Sequence, residues 1–342
     1  MSAAREQKSG ETFRRVRPSL GFVKNNSVTF VAPVPTFLLS ALVLSVLVLS
    51  LLRLNISVAM AVRLDPGRTH LLKPKETEMV RIPAGWFLMG SSKEEMKTAQ
   101  ALCVEDLRPT NPGQARVCST HLFMDEHPRR KVYVSTFYID RHPVTRGRYL
   151  ECVAAGACSM PPVTPKQRIF WSDHVPVVGV EWKEAARYCR WRKKRLPTEA
   201  EWEKAARGPF GRIWPWGNKW AAKRCNHGNL NPVTTAFEGD ASDGHYWISP
   251  INGYLGGRSF YGVAGFAGNV SEWVSDRYSA RPPKAKKDRI DPKGPKSGSY
   301  RVVKGGSWYG PRFLTRAASR LSYPPKNKES FVGFRCARKT NL

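Results

Sequence analysis

An uncharged apolar run near the N-terminus most limits how this chain can fold. Residues 25–52 contain no charged side chain, and the 23 residues from 30 to 52 are almost wholly apolar. At about 1.5 Å of rise per residue, such a helix spans a hydrocarbon core of about 30 Å. A buried globular helix is not expected, because no polar face interrupts the run. We therefore predict a transmembrane signal anchor over residues 28–52, with a cleaved signal peptide as the alternative.

The charge before this run sets the expected orientation. Six basic residues precede it, against two acidic ones. This bias predicts a basic cytoplasmic tail over residues 1–27, with the remainder of the chain outside. Residues 53–77 contain two prolines and a glycine without strong periodicity, which is typical of a linker. We expect a single-pass protein of the bacterial inner membrane, attached to the cell membrane through the anchor, whose domain at 78–342 lies in the periplasm.

The cysteine content agrees with an exported, oxidised domain. The seven cysteines are Cys103, Cys118, Cys152, Cys158, Cys189, Cys225 and Cys336. The first four form two pairs that are close in sequence, and each pair predicts a disulfide that closes a local loop. Of the remaining three, Cys225 is the odd one. No C-x-x-C motif occurs, which disfavours a zinc ribbon or a thioredoxin-like site.

The chain is strongly basic, with 56 Lys and Arg against 27 Asp and Glu and a net charge of +29. Acidic polysaccharide, anionic lipid headgroups and nucleic acid are all possible counterparts. No helix-turn-helix, zinc-finger or RNA-binding signature occurs, so we predict no specific nucleic-acid partner. An anionic envelope ligand or an envelope protein complex is the expected partner. The alternative is a basic surface without a specific ligand.

The first part of the domain is predicted to form short strands. Residues 78–92 predict an apolar strand, a Pro-Ala-Gly turn and an aromatic strand. Residues 93–127 resemble an insertion, part helical and tied by its own cysteine pair. The alternating, β-branched and aromatic stretch 130–145 predicts one strand. Thr145 then caps a short helix.

Two helices and a long loop region follow. One predicted helix has Trp182 and Cys189 on one face. The next has a capping box of Thr198 and Glu201 and ends at Gly208. Residues 209–265 are mostly loop, and a long loop within a compact domain is usually held by disulfides or a metal ion.

Four motifs then identify a family: RLPTEAEWEKAARG, GNVSEWVSDRY, DPKGPKSGSYRVVKGGSW and VGFRCAR. In this order, over roughly residues 78–338, they resemble the formylglycine-generating enzyme (sulfatase-modifying factor) superfamily. The resemblance implies an α+β, loop-rich fold that is C-type-lectin-like. It also implies a disulfide between Cys189 and Cys336. Ala206 and Ala317 occupy the positions of a second family disulfide that is absent here.

The resemblance implies a copper chemistry whose two cysteine ligands this chain lacks. The enzymes oxidise a sulfatase cysteine to formylglycine with two cysteine thiolates between the GGS and GFR motifs, which bind copper. Residues 308–335 contain no cysteine, and the nearest positions hold Gly310 and about Arg312. We therefore expect no copper, no catalytic residue of this type and no formylglycine generation.

The family also carries structural calcium, which prefers oxygen ligands from loops. The matching positions are Asn229 and Asp243 by side chain and Leu230 and His245 by main-chain carbonyl. The resemblance therefore predicts one calcium ion here; the alternative is a solvated acidic loop.

A second calcium site of the family matches Gly268, Asn269 and Glu272. Gly265 stands where relatives usually place Asn or Asp, so one oxygen ligand is lost. We expect this second site to be weakened.

Trp308, Arg312 and Arg316 form a possible anion or ligand surface, since an arginine fork suits sulfate, phosphate or carboxylate. Solvated arginines are the alternative. The sequence thus predicts a membrane-anchored, exported sulfatase-modifying-factor-like domain that acts as a non-catalytic binding or scaffold module of the cell envelope. The alternative is a periplasmic enzyme of the same superfamily that uses a mechanism other than two-cysteine copper oxidation.

Overall fold

A computed structural model of the protein describes residues 79–107, 116–161, 166–231, 233–281 and 289–339. The predicted tail, anchor and linker lie outside these ranges. Among the described helices, none has the length and apolar character needed to cross a membrane. The helices are α1 (Lys93–Leu107), α2 (Arg146–Ala154), α3 (Trp182–Trp191) and α4 (Glu199–Arg207). Short 3-10 helices lie at Arg116–Cys118, Thr120–Glu126, Arg168–Trp171, Ala222–Arg224, Leu255–Gly257 and Arg312–Thr315.

The strands are short and form small sheets. In chain order they are β1 (Met79–Ile82), β2 (Gly85–Met89), β3 (Arg130–Val134), β4 (Phe137–Asp140), β5 (Gly228–Leu230), β6 (Phe237–Gly239), β7 (Ser271–Arg277), β8 (Arg301–Lys304), β9 (Leu321–Tyr323), β10 (Val332–Phe334) and β11 (Ala337–Lys339). The sheet orders are β1-β4-β11, β10-β7-β8-β9, β2-β3 and β5-β6. Strands β10 and β7 run parallel, and the other pairs are antiparallel. The mixture of helices and sheets agrees with the predicted α+β class.

The prediction of one strand over 130–145 is wrong, because this stretch divides into β3 and β4 in different sheets. Val132 and Val134 are buried in β3, whereas Phe137 and Ile139 are buried in β4. The buried positions therefore change from even to odd numbers between the strands. A continuous strand would turn its second half away from the core. The break at residues 135–136 keeps both halves facing inward.

The predicted helix boundaries are confirmed. Thr145 caps α2 by accepting a hydrogen bond from Arg148 N. Thr198 and Glu201 form the capping box of α4, which ends at Gly208 with φ 68°. Every residue of α4 is buried, including its charged ones. We infer that α4 is the central helix of the core, and Trp202 on it is fully buried.

Three disulfides have the predicted pairing: Cys103–Cys118, Cys152–Cys158 and Cys189–Cys336. The third joins α3 to the residue before β11 across 147 positions of sequence. Cys225 is a buried free thiol, and burial raises its pKa. Ala206 and Ala317 are fully buried in one apolar cluster. Apolar packing is therefore found at the two positions where the family resemblance implies a second disulfide.

Candidate functional site

A cavity of about 470 Å³ lies between the end of α1, the β5-β6 pair and the 3-10 helix at Arg312–Thr315. We name it the acidic cavity. It is lined by Glu105, Asp106, Trp220, Ala222, His227, Asn229, Leu230, Glu238, Asp240, Ser242 and Arg312. Four of these side chains are carboxylates and one is a guanidinium, so the lining is predominantly negative.

One wall of the acidic cavity is the segment that the family resemblance associates with redox chemistry. Gly228 N donates a 2.8 Å hydrogen bond to Gly310 O, and Gly228 forms a parallel bridge with Pro311. A Cβ atom on Gly228 would lie 2.7 Å from Tyr309 C and 2.8 Å from Trp308 O, closer than a side chain allows. This close backbone approach holds Arg312 beside β5.

Arg312 is paired with two carboxylates. Its Nε lies 2.6 Å from Asp106 Oδ1, and its Nη2 lies 2.6 Å from Glu105 Oε2. The other oxygen of Asp106, Oδ2, is buried without a hydrogen-bond partner in the described part of the chain. Burial raises the pKa of Asp106 to about 6, although Arg312 opposes the shift. Asp106 therefore keeps one buried oxygen that no group in the described part of the chain uses.

His227 provides a second unpartnered atom. Its Nδ1 lies 3.0 Å from Gly228 O and must donate there, since a carbonyl oxygen only accepts. In the neutral ring Nε2 is then an acceptor, and this atom is buried without a partner in the described ranges. The Trp220 ring lies 5.1 Å away, centroid to centroid. Two buried acceptors thus belong to side chains that line the same cavity.

The β5-β6 side of the cavity supplies two further carboxylates. Asn231 Nδ2 donates to Glu238 Oε2 at 3.2 Å. Burial of Asp240 opposes ionisation, but hydrogen bonds from the Ser242 side chain and backbone outweigh it and lower the pKa of Asp240. This side of the cavity therefore carries negative charge.

The prediction that Trp308 and Arg316 form a ligand surface is wrong, since both are buried. Arg316 donates to Glu126 through Nη1 at 2.8 Å and through Nη2 at 2.7 Å. Arg312 remains at a cavity, but its charge is neutralised by its two carboxylate partners. A buried cation needs a counter-charge, so the buried Arg316 serves the fold.

The first predicted calcium set lies at and next to the acidic cavity. Asn229 and Leu230 line the acidic cavity. Asp243 is buried and accepts hydrogen bonds from His227 N, His245 N and the Tyr254 hydroxyl. Three of its roughly four lone-pair positions are therefore in use. One remains for a cation, so the oxygen chemistry of the set still fits calcium. Among the described residues, no three His, Cys, Asp or Glu side chains converge as a metal cluster.

The second predicted set does not fit a metal ion. Arg335 donates to Glu272 through Nε at 2.7 Å and through Nη2 at 2.6 Å, and Trp202 Nε1 donates to the same carboxylate. Arg335 Nη2 also donates to Gly265 O. Asn269 Oδ1 already accepts from two donors. A guanidinium therefore supplies the positive charge at this position.

The sequence patterns did not point to Asp106, His227, Glu238 or Asp240. These residues lie on separate segments, which only the folded chain brings together. For His227, Glu238 and Asp240 the one available signal was the polar, loop-forming character of residues 209–265; Asp106 had none.

Comparison with known proteins gives consistent matches. A profile for the "Sulfatase-modifying factor enzyme 1-like domain" matches residues 69–340. The chain is 30% identical to the "Formylglycine-generating enzyme" of Bos taurus over 311 residues, covering 76% of this chain and 74% of that protein. It is 28% identical to the "Inactive C-alpha-formylglycine-generating enzyme 2" of Mus musculus over 320 residues, covering 79% and 88%. The structure of PvdO from Pseudomonas aeruginosa shares the fold, with a TM-score of 0.57, 24% identity and coverage of 78% of this chain and 95% of PvdO.

Proposed function

Because this chain belongs to the sulfatase-modifying factor enzyme 1-like family, we propose that it is a binding module of the cell envelope whose ligand occupies the acidic cavity. The module would be exported and anchored in the inner membrane through residues 28–52, and its α+β domain would be C-type-lectin-like. Residues 308–335 contain no cysteine, which supports a role other than two-cysteine copper oxidation. A relative named as inactive also supports this proposal.

The observation that carries the proposal is the pair of unpartnered buried acceptors, Asp106 Oδ2 and His227 Nε2. Buried polar atoms are almost always hydrogen-bonded, and each one left alone costs about 1–3 kcal/mol. A ligand that carries N–H donors and positive charge, an ammonium or a guanidinium, would satisfy both. The Trp220 ring at the same cavity could add a cation–π contact. The anionic ligand expected from the net charge does not suit this cavity, because four carboxylates line it.

An enzyme that works without the two-cysteine copper site is the second candidate. The raised pKa of Asp106, about 6, and the nearby His227 favour it, since perturbed titratable groups in a cavity mark catalytic sites. An acid–base role for this pair would require the substrate to bind in the same cavity.

We test the binding proposal by calorimetric titration of the full chain with agmatine, which carries a guanidinium and an amine. Asp106→Asn should weaken binding about tenfold or more, because a charged hydrogen-bond partner is lost. Asp173→Asn, at an exposed carboxylate, is the matched control and should change nothing. Binding should weaken as the pH falls through about 6, where Asp106 becomes protonated. Equal binding by both variants, or preference for citrate over agmatine, would reject the proposal.

Product analysis tests separately whether two-cysteine copper chemistry has been replaced by another copper site. We expect no aldehyde when the full chain is incubated with Cu(I) and a cysteine-containing sulfatase-type peptide. Aldehyde formation would show that ligands outside residues 308–335 hold copper.

We also propose a calcium ion at Asn229, Leu230, Asp243 and His245, stabilising the loop that follows β6. Calcium should raise the unfolding temperature of the full chain, and Asp243→Asn should abolish the increase while magnesium gives none. An unfolding temperature that does not respond to calcium would refute this site.

A further inference from the structure

The outer face of the β2-β3 sheet is aromatic. The inward positions of these strands are Phe87, Met89, Val132 and Val134, all in the core. An antiparallel pair with one buried face ordinarily presents polar side chains on the other. Here Trp86 pairs with Tyr133 across the strands, their ring centroids lie 5.4 Å apart, and Trp86 is 47% exposed. The Trp86 side of this face is therefore open to solvent.

The apolar surface extends beyond the sheet. Leu88 lies on the outer side of β2, and a Cβ atom on Gly211 would lie 3.4 Å from its Cβ. Next to Gly211, Phe210 is 72% exposed and packs edge-to-face on Phe260 with centroids 5.6 Å apart. At the other end Ile290, which is 59% exposed, forms a bridge with Tyr133. We name this surface the aromatic face: Trp86, Leu88, Tyr133, Phe210, Phe260 and Ile290.

Cations border the aromatic face. Lys131 Nζ lies 5.4 Å from the centre of the Trp86 ring, and Arg212 Cζ lies 5.6 Å from the centre of the Phe260 ring. Arg289 precedes Ile290 and is exposed. The neighbouring carboxylate, Asp291, is held by hydrogen bonds of 2.7 and 2.6 Å from Ser135 N and Oγ. Positive charge therefore accompanies the apolar surface.

We propose that the aromatic face docks on an anionic membrane surface. Contiguous exposed apolar surface marks interaction sites. Tryptophan and phenylalanine flanked by lysine and arginine suit the boundary between acyl chains and negatively charged headgroups. The net charge of +29 adds attraction to such a surface. The identity of the membrane rests on the proposed anchor, which would keep the domain within reach of it; the face itself does not depend on the acidic cavity.

The test uses the full chain reconstituted in phosphatidylglycerol vesicles and, separately, in phosphatidylcholine vesicles. A nitroxide label is attached at Phe210→Cys, or at Val233→Cys as the matched control, an exposed apolar position outside the face. Cys225 is buried and does not compete for the label. Electron paramagnetic resonance then compares accessibility to oxygen with accessibility to a nickel chelate.

We expect the oxygen-to-nickel ratio at position 210 to rise at least threefold in phosphatidylglycerol relative to phosphatidylcholine, with no change at 233. The double substitution Lys131→Glu and Arg212→Glu should abolish the rise. Equal ratios at both positions would overturn the proposal. Spin–spin broadening between labels at 210 would also overturn it, because it would assign the face to a second copy of the chain.

The same vesicles separate this proposal from that of the anchor. Alkaline carbonate releases a chain that is only bound to the surface and leaves an integral one. Release of the chain by carbonate would reject the anchor. The docking of the aromatic face could still be tested, because the released chain can be returned to vesicles and assayed by flotation. If the chain stays in the vesicles and the oxygen-to-nickel ratios at 210 and 233 are equal, docking of the aromatic face is rejected and the anchor is not.

Discussion

Replacing Arg316 with methionine tests whether the buried arginine serves the fold. The Arg316 and Glu126 side chains are each 2% exposed and share two short hydrogen bonds. Arg316 Nε also donates to Phe313 O at 2.8 Å. Burial disfavours the Glu126 carboxylate, but Arg316 outweighs it and lowers the pKa of Glu126. Arg316→Met leaves a buried carboxylate without its counter-charge, so we expect a loss of about 3–5 kcal/mol in unfolding free energy.

The assay is urea unfolding of the full chain in detergent, followed by circular dichroism at pH 7. The double variant Arg316→Met with Glu126→Gln removes both charges and should recover part of the loss. Arg187→Met is the matched control; Arg187 is 51% exposed in its ion pair with Glu184, so its cost should be smaller. A change below about 0.5 kcal/mol for Arg316→Met, the range of ordinary surface substitutions, would refute the structural role.

Two further predictions concern a buried carboxylate and a close backbone approach. Burial, with the neighbouring Glu199 carboxylate, raises the pKa of Asp276 to about 7. The Asp276 carboxyl therefore lowers the free energy of unfolding as the pH rises from its unfolded pKa of about 3.9 through 7. Relative to wild type, the Asp276→Asn variant should gain about 1 kcal/mol or more in unfolding free energy across that window. A pH-independent difference would contradict this. Gly228→Ala should disrupt the acidic cavity and weaken agmatine binding, because its Cβ would lie 2.2 Å from Glu238 O. Gly256→Ala is the control for glycine replacement, since a Cβ there would meet only Arg224 Cγ at 3.8 Å.

The parts of the fold that could be predicted from sequence are those determined locally. The capping box at Thr198 and Glu201 is such a case, since its partners are three residues apart. The family motifs supplied the pairing of Cys189 with Cys336. The divided strand at residues 135–136 was not predicted, although the change in alternation was present in the sequence. It was masked by the unbroken β-branched and aromatic composition.

The candidate site could not be predicted in the same way, because its groups come together only through the fold. The orphan oxygen of Asp106 and the orphan nitrogen of His227 belong to α1 and to the loop before β5. Arg316 illustrates the opposite case: an arginine in a site-like segment has the same local pattern whether it binds a ligand or a buried Glu126. Burial distinguishes the two, and burial is a property of the whole domain.

The long-range disulfide has a consequence for how this protein matures. A ribosome makes Cys189 well before Cys336, and the free thiol Cys225 is made between them. Until the last residues emerge, Cys189 has Cys225 as a nearer potential partner along the chain. Burial of Cys225 before oxidation reaches Cys189 would remove this competing partner. A catalyst of disulfide isomerisation would be most needed in the interval before Cys336 is made.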